Sequence, residues 1–113
     1  VIVMIAELVR EAALEGVRDE LPHSLAVVVE EIVARPDRPA DSPMSDVRVN
    51  VFVERPSQKA IVIGRGGSRL REVGTKARSG IETLLGQRVH LDLHVKVAKD
   101  WQRDPKQLQR LGF

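Results

Sequence analysis

The sequence predicts one small α+β domain, a three-stranded sheet packed by helices, and three observations carry that prediction. Val47, Val49, Val51 and Val53 alternate with Arg48, Asn50, Phe52 and Glu54, and Val89, Leu91, Leu93, Val95 and Val97 alternate with Arg88, His90, Asp92, His94 and Lys96. Both runs show the two-residue period of a half-buried strand. Elsewhere apolar residues recur at three- and four-residue steps, as on the buried stripe of a helix. Finally, 113 residues with 42% hydrophobic content leave room for one core and one domain.

The first helix carries Ile5, Leu8, Val9, Ala12, Ala13 and Val17 on one face, with Glu7, Arg10, Glu11 and Glu15 between them. Pro22 disfavours helical geometry in the residue before it, which places the end near Leu21. Residues 1–5 read either as the frayed start of this helix or as the remnant of a linker. Ser24 to Val33 is β-branched, short and continuous, so it reads as a strand covered on both faces in its first half. Pro36, Pro39 and Pro43 fall in a polar stretch, making 36–45 a proline-rich hairpin loop. The strand over 46–55 then completes a long-looped antiparallel hairpin.

Ser57 is the expected N-cap of a short helix, Gln58 to Ile63, that stops at Gly64. Ser68 is the expected N-cap of the next, whose stripe runs through Leu70, Val73, Ala77, Ile81, Leu84 and Leu85 to Gly86. Gly74 and Gly80 lie inside it at a cost of about 1 kcal/mol each relative to alanine, which close packing against a neighbouring backbone would explain. The strand over 88–98 follows. Asp104 and Pro105 read as N-cap and first residue of a helical turn bearing Leu108 and Leu111, within a tail over 99–113. The order is α-β-β-α-α-β with a short C-terminal helix.

Composition removes several functions. No cysteine is present, so disulfides, thiolate metal sites and cysteine nucleophiles are excluded. No apolar run is long enough for a bilayer and no basic, cleavable leader stands at the start, which predicts a soluble, cytoplasmic protein. Catalytic signatures fail on spacing. The interval from Gly64 to Gly67 encloses two residues and precedes Ser68 and Arg69, where a P-loop needs four residues and then Gly-Lys-Ser/Thr. A dinucleotide fingerprint would need glycine where Arg69 stands. His90 and His94 lie about 13 Å apart on a strand, sharing a face without sharing an ion. His23 reads as a turn residue, and the glutamates Glu7, Glu11, Glu30 and Glu31 as surface charges. No catalytic residue, cofactor or metal is expected.

What remains is IVIGRGGSRL, residues 61–70. Three glycines in four positions open a helix, so a backbone without side chains can approach a phosphate where unpaired helix amides offer donors. Arg65 and Arg69 add full charges. A tight turn between two apolar segments is the alternative reading of the loop alone. From Arg55 to Arg78, however, seven basic residues face one acid, and the rest of the chain is net negative although the total is +2. The positive field is centred on the loop, as an anionic polymer would require. Base-stacking sheets need exposed aromatic rings, and this chain is only 3% aromatic. Trp101 serves either to pin the tail or to stack on a base.

The core IVIGRGGSRL resembles the VIGxxG signature of KH domains, and the element order is similar to the type II KH arrangement. The segments ELPHSLAVVVEE, NVFVERPSQKAIVIGRGGSRLREVGTKAR and VHLDLHVKVAKDWQRDPKQLQRLGF together resemble the C-terminal domain of the Era family of bacterial ribosome-assembly GTPases. That resemblance implies a single KH domain over 1–113 that binds single-stranded ribosomal RNA at the 3′ end of the small-subunit RNA. Small ribosomal subunit assembly would be its setting, with an N-terminal GTPase domain in the intact protein. No DNA partner is expected, and any peripheral membrane association would belong to the intact protein only. Position by position, it makes Gly64, Arg65, Gly66 and Gly67 the backbone clamp and Ser68 the start of the groove helix. Ile61 and Ile63 become groove walls, His90 the opposite wall, and Lys59, Arg69, Arg71 and Lys76 phosphate contacts. A protein-interaction or regulatory module on the same scaffold is the alternative function.

Overall fold

Two strands pair as the hairpin requires, and a third joins them in parallel after a helical crossover. The computed structural model describes residues 1–17, 21, 25–99 and 105–111, with only the backbone at Gln107. Its elements are α1 (Ile2–Leu14), β1 (Ala26–Ala34), β2 (Met44–Val53), α2 (Pro56–Ile63), a single 3₁₀ turn (Arg65–Gly67), α3 (Ser68–Leu85), β3 (Arg88–Val97) and α4 (Pro105–Arg110). The sheet order is β1-β2-β3, with β1 antiparallel and β3 parallel to β2. The expectations for His23, Trp101 and Asp104 lie outside the described residues.

Alternation in β2 decides where the core sits. Val47, Val49, Val51 and Val53 are all buried on the face that meets Ile5 and Val9 of α1, Val62 of α2 and Val73, Ala77 and Ile81 of α3. Each such side chain contributes about 1.5–3 kcal/mol by leaving water. On the other face Phe52, Ala26, Ala98 and Leu111 form a second, smaller cluster with Val28 and Leu108. The α4 segment therefore covers one end of the outer sheet face. The remainder of that face is polar, with Asn50 Nδ2 donating to Glu30 Oε1 at 2.8 Å.

Several boundaries differ from expectation. Helix α1 ends at Leu14 rather than near Leu21, because the chain turns extended at Glu15 and left-handed at Gly16 (φ 79°). Its first turn includes residues 2–5, and Ile5 is fully buried. Strand β1 is not covered on both faces in its first half. As an edge strand it buries only Ala26, and Val27–Val29 are half-buried. Ser57 does not cap α2. Arg55 occupies the N-cap with Pro56 next, and Gln58 Oε1 accepts from the amides of Glu54 and Arg55 at 2.9 and 3.0 Å. Ser68 is the first residue of α3, whose N-cap is Gly67. Gly80 faces the Leu8 side chain of α1, not a backbone; an added Cβ would lie 3.0 Å from Leu8 Cδ2.

The hairpin arm is held by an ion pair. Arg35 Nη2 donates to Asp46 Oδ1 at 2.8 Å, and Arg35 Nε to Asp46 Oδ2 at 3.1 Å. That bonding holds the Asp46 carboxyl below its ordinary pKa. At the end of α1, Lys76 does the same to Glu15 by hydrogen bonding and charge. A carboxylate with a depressed folded-state pKa stabilises above its unfolded value and loses that contribution as pH falls through the folded one. Acid titration below about pH 4 should therefore loosen the arm before the valine core melts. Amide exchange at Arg35 and Asp46, compared with Val49 and Val51, checks this. Equal protection losses at both sites would contradict it.

Candidate nucleic-acid interface

The glycine segment is built by the end of one helix and the start of the next. Gly64 N–H donates to Ala60 O at 2.9 Å, closing α2, and Gly67 N–H donates to Gly64 O at 3.2 Å. Between them Gly64, Gly66 and Gly67 all take positive φ, at 74°, 61° and 79°. For Gly64, with ψ 176°, the conformation is one that only glycine adopts readily. Ideal Cβ atoms at Gly66 and Gly67 would meet nothing within 4 Å, so the turn is open to solvent there. Arg65 and Ser68 are exposed beside it. The 18-residue α3 begins here, its first amide, that of Ser68, donating to Arg65 O, so what the helix presents to the same opening is its positive dipole end.

From this turn a groove of about 450 Å³ runs between α3 and the free edge of β3. Gly67, Leu70, Arg71, Gly74, Thr75 and Arg78 form one side, and His90, Leu91, Asp92 and Leu93 the other. The α3 residues fall at helical steps that put them on one face. Leu70, Leu91 and Leu93 provide apolar surface, and two arginines face one carboxylate. Glu82 secures the sheet wall by accepting from the Val89 amide at 2.9 Å. His94, the other histidine of this strand, pairs with Asp92 at 3.0 Å. Among the described residues no cluster of histidine and acid side chains could hold a metal ion, and no helix is long and apolar enough to cross a membrane.

The expected site residues divide. Gly67, Arg71 and His90 line the groove, and Gly64, Arg65, Gly66 and Ser68 belong to the turn and helix start that adjoin it in the chain. Ile61 and Ile63 do not join the lining, because they pack half-buried against the main core beside Val62. Lys59 is half-exposed on α2, away from the groove lining. Lys76, expected as a phosphate contact, lies on another side of α3 from the groove, exposed and paired with Glu15. Arg69 is turned to the end of α1, where Nη2 donates to Ala13 O at 2.6 Å and Glu15 O at 2.7 Å. Gly74, Thr75 and Arg78 are groove-lining residues that the motif alone does not mark, although their i+3, i+4 and i+7 spacing from Arg71 places them on the same helix face.

A β1-β2-β3 sheet with parallel β2 and β3, and a Gly-x-x-Gly turn joining two helices at the head of a groove, is the type II KH arrangement. The KH-domain model matches residues 20–102, and the chain belongs to the KH family. Its relatives narrow the comparison to Era. Over 111 residues the chain is 72% identical to GTPase Era of Streptomyces coelicolor and 67% identical to that of Mycolicibacterium smegmatis. Each match covers 98% of this chain but only 35–36% of the relative. The chain thus spans about a third of the length of the curated relatives it matches, and contains no P-loop. Two solved structures agree: an Aquifex aeolicus Era variant bound to GDP and aluminium fluoride (TM-score 0.87), and Era in complex with MgGDPNP and nucleotides 1506–1542 of 16S ribosomal RNA (TM-score 0.88). Both are 39% identical over 98% of this chain, which covers 36% of theirs.

Proposed function

We propose that this chain binds single-stranded RNA, with the 3′ end of small-subunit ribosomal RNA as its target. It does so as the recognition module of a GTPase that acts in small-subunit assembly. The observation that carries the reading is the continuity of the open Gly64–Gly67 turn with the groove bearing Arg71 and Arg78. Successive phosphates lie against the turn, where Arg65 and the positive end of α3 meet them. The bases enter the groove between α3 and β3. Its apolar lining suits unstacked bases, and the free β3 edge offers backbone donors and acceptors to their rims. A duplex would present no separated bases to so narrow a slot. The Era structure containing a 16S ribosomal RNA segment supports the choice of RNA.

The test is the double variant Gly66→Asp, Gly67→Asp. Both backbones lie near the left-handed helical region, with ψ 20° and 8°, which aspartate tolerates better than most residues. Both Cβ positions are open, so the fold should persist. Two carboxylates beside phosphates, each repelling by about 1 kcal/mol in water, should weaken a short 3′-end RNA about tenfold or more. Unchanged affinity in the folded variant would overturn the reading. Equal affinity of the unmodified chain for duplex, single strand and heparin would reduce it to general charge attraction.

A further inference from the structure

The arginine that follows the glycine turn is directed away from it. Arg69 is the second residue of α3, yet its guanidinium crosses to α1. There the last carbonyls divide their partners. Ala12 O and Leu14 O accept from the backbone amides of Glu15 and Val17, whereas Ala13 O and Glu15 O accept from Arg69 Nη2. The cation thus meets the negative end of the α1 dipole and satisfies carbonyls that helix termini leave open. Arg69 Nε is buried with no partner, a cost that favours the arrangement only if the Nη2 bonds outweigh it.

The other end of the same residue is a seat for the turn. A Cβ at Gly64 would lie 2.6 Å from Arg69 Cβ and 3.0 Å from its amide nitrogen. The first glycine of the turn therefore rests directly on Arg69, and Arg69 is tied to α1. Lys76, about two helical turns further along α3, adds a second tie to Glu15.

We propose that Arg69 is a positioning residue for the RNA clamp. By bracing the start of α3 against the end of α1, it holds Gly64 to Gly67 in the arrangement that receives phosphates, and makes no RNA contact itself. This rests on the RNA-binding reading above. Without the brace the turn populates other conformers, and apparent affinity falls in proportion to the competent fraction.

The experiment measures binding of a short single-stranded RNA from the small-subunit 3′ end across a salt series, for the unmodified chain, Arg69→Ala and Arg69→Lys. A loss of about 3- to 10-fold is expected for Arg69→Ala, the consequence of a competent fraction reduced to between a third and a tenth. The salt slope should stay constant, and the Gly64–Gly67 amides should exchange faster. Lysine, one atom shorter and with a methylene in place of the buried Nε, should give an intermediate affinity. A slope reduced by about 0.7 would mean that Arg69 itself neutralises one phosphate and would overturn the proposal, as would full affinity in folded Arg69→Ala. If the alanine variant does not fold, the lysine variant is read by the same criteria. Running Gly66→Asp, Gly67→Asp in parallel separates the failures. If that variant keeps its affinity the RNA reading falls, and if it alone loses affinity only the brace falls.

Discussion

Alanine at Gly64 is expected to lower the unfolding free energy by about 3 kcal/mol, the largest stability effect of any substitution in the turn. Two independent costs add. The backbone sits at φ 74° and ψ 176°, a region worth about 1–3 kcal/mol of strain for a residue with a side chain. The new Cβ would also meet Arg69 Cβ at 2.6 Å and Arg69 N at 3.0 Å. Neither atom is the free end of a flexible chain, since both belong to the first turn of α3 and the residue is anchored to α1. A loss of this size is a large fraction of the 5–15 kcal/mol typical of a domain. Alanine at Gly66 or Gly67 meets open space and should cost only about 1 kcal/mol for the positive φ. Urea unfolding of the three variants checks the ranking. Equal destabilisation at all three positions would mean that the turn yields at Gly64 and that the seat on Arg69 is soft.

That contrast also marks where the sequence is readable. The strands are legible because alternation has no competing explanation in β2 and β3, and Gly64 and Gly86 stop their helices where expected. Helix α1 is shorter than its periodicity suggests because Val17 continues the helical spacing, whereas Gly16, which ends it, is a residue that helices also tolerate at a modest cost. The glycine turn is visible in the sequence, but the roles of its cations are not. A linear count around the loop treats Arg65, Arg69, Arg71 and Lys76 alike. Only the packing of α1 against α3 shows that Arg69 and Lys76 serve that junction, leaving Arg71 and Arg78 in the groove. Ile61 and Ile63 are placed at the groove by the family resemblance, whereas in the structure both pack half-buried against the main core. The apolar groove lining comes instead from Leu70, Leu91 and Leu93, which strand and helix periodicity place on buried faces.

Gly74 should separate stability from binding, with opposite signs at one position. It lies in the interior of α3 and on the groove surface, and an added Cβ would touch only Leu93 Cδ1 at an ordinary 3.7 Å. Alanine there gains helix propensity of up to about 1 kcal/mol, which raises the melting temperature of a domain of about 100 residues by roughly 4–8 °C. Nothing in the fold requires glycine at this point, because its φ is not positive. The space it leaves is part of the groove, between Leu70 and Thr75 on one side and Leu91 and Leu93 on the other. Leucine at 74 would fill that space from the helix side while its apolar surface met Leu93, so the chain should remain folded. A base seated against Leu70, Leu91 and Leu93 gains about 1–2 kcal/mol by taking apolar surface out of water, and blocking one or two seats should cost about 30-fold in affinity for single-stranded RNA. The salt slope should change little, because Arg65, Arg71 and Arg78 remain. Binding of Gly74→Leu within twofold of the unmodified chain would show that the bases do not enter between α3 and β3, and would move the RNA path to another face of the domain.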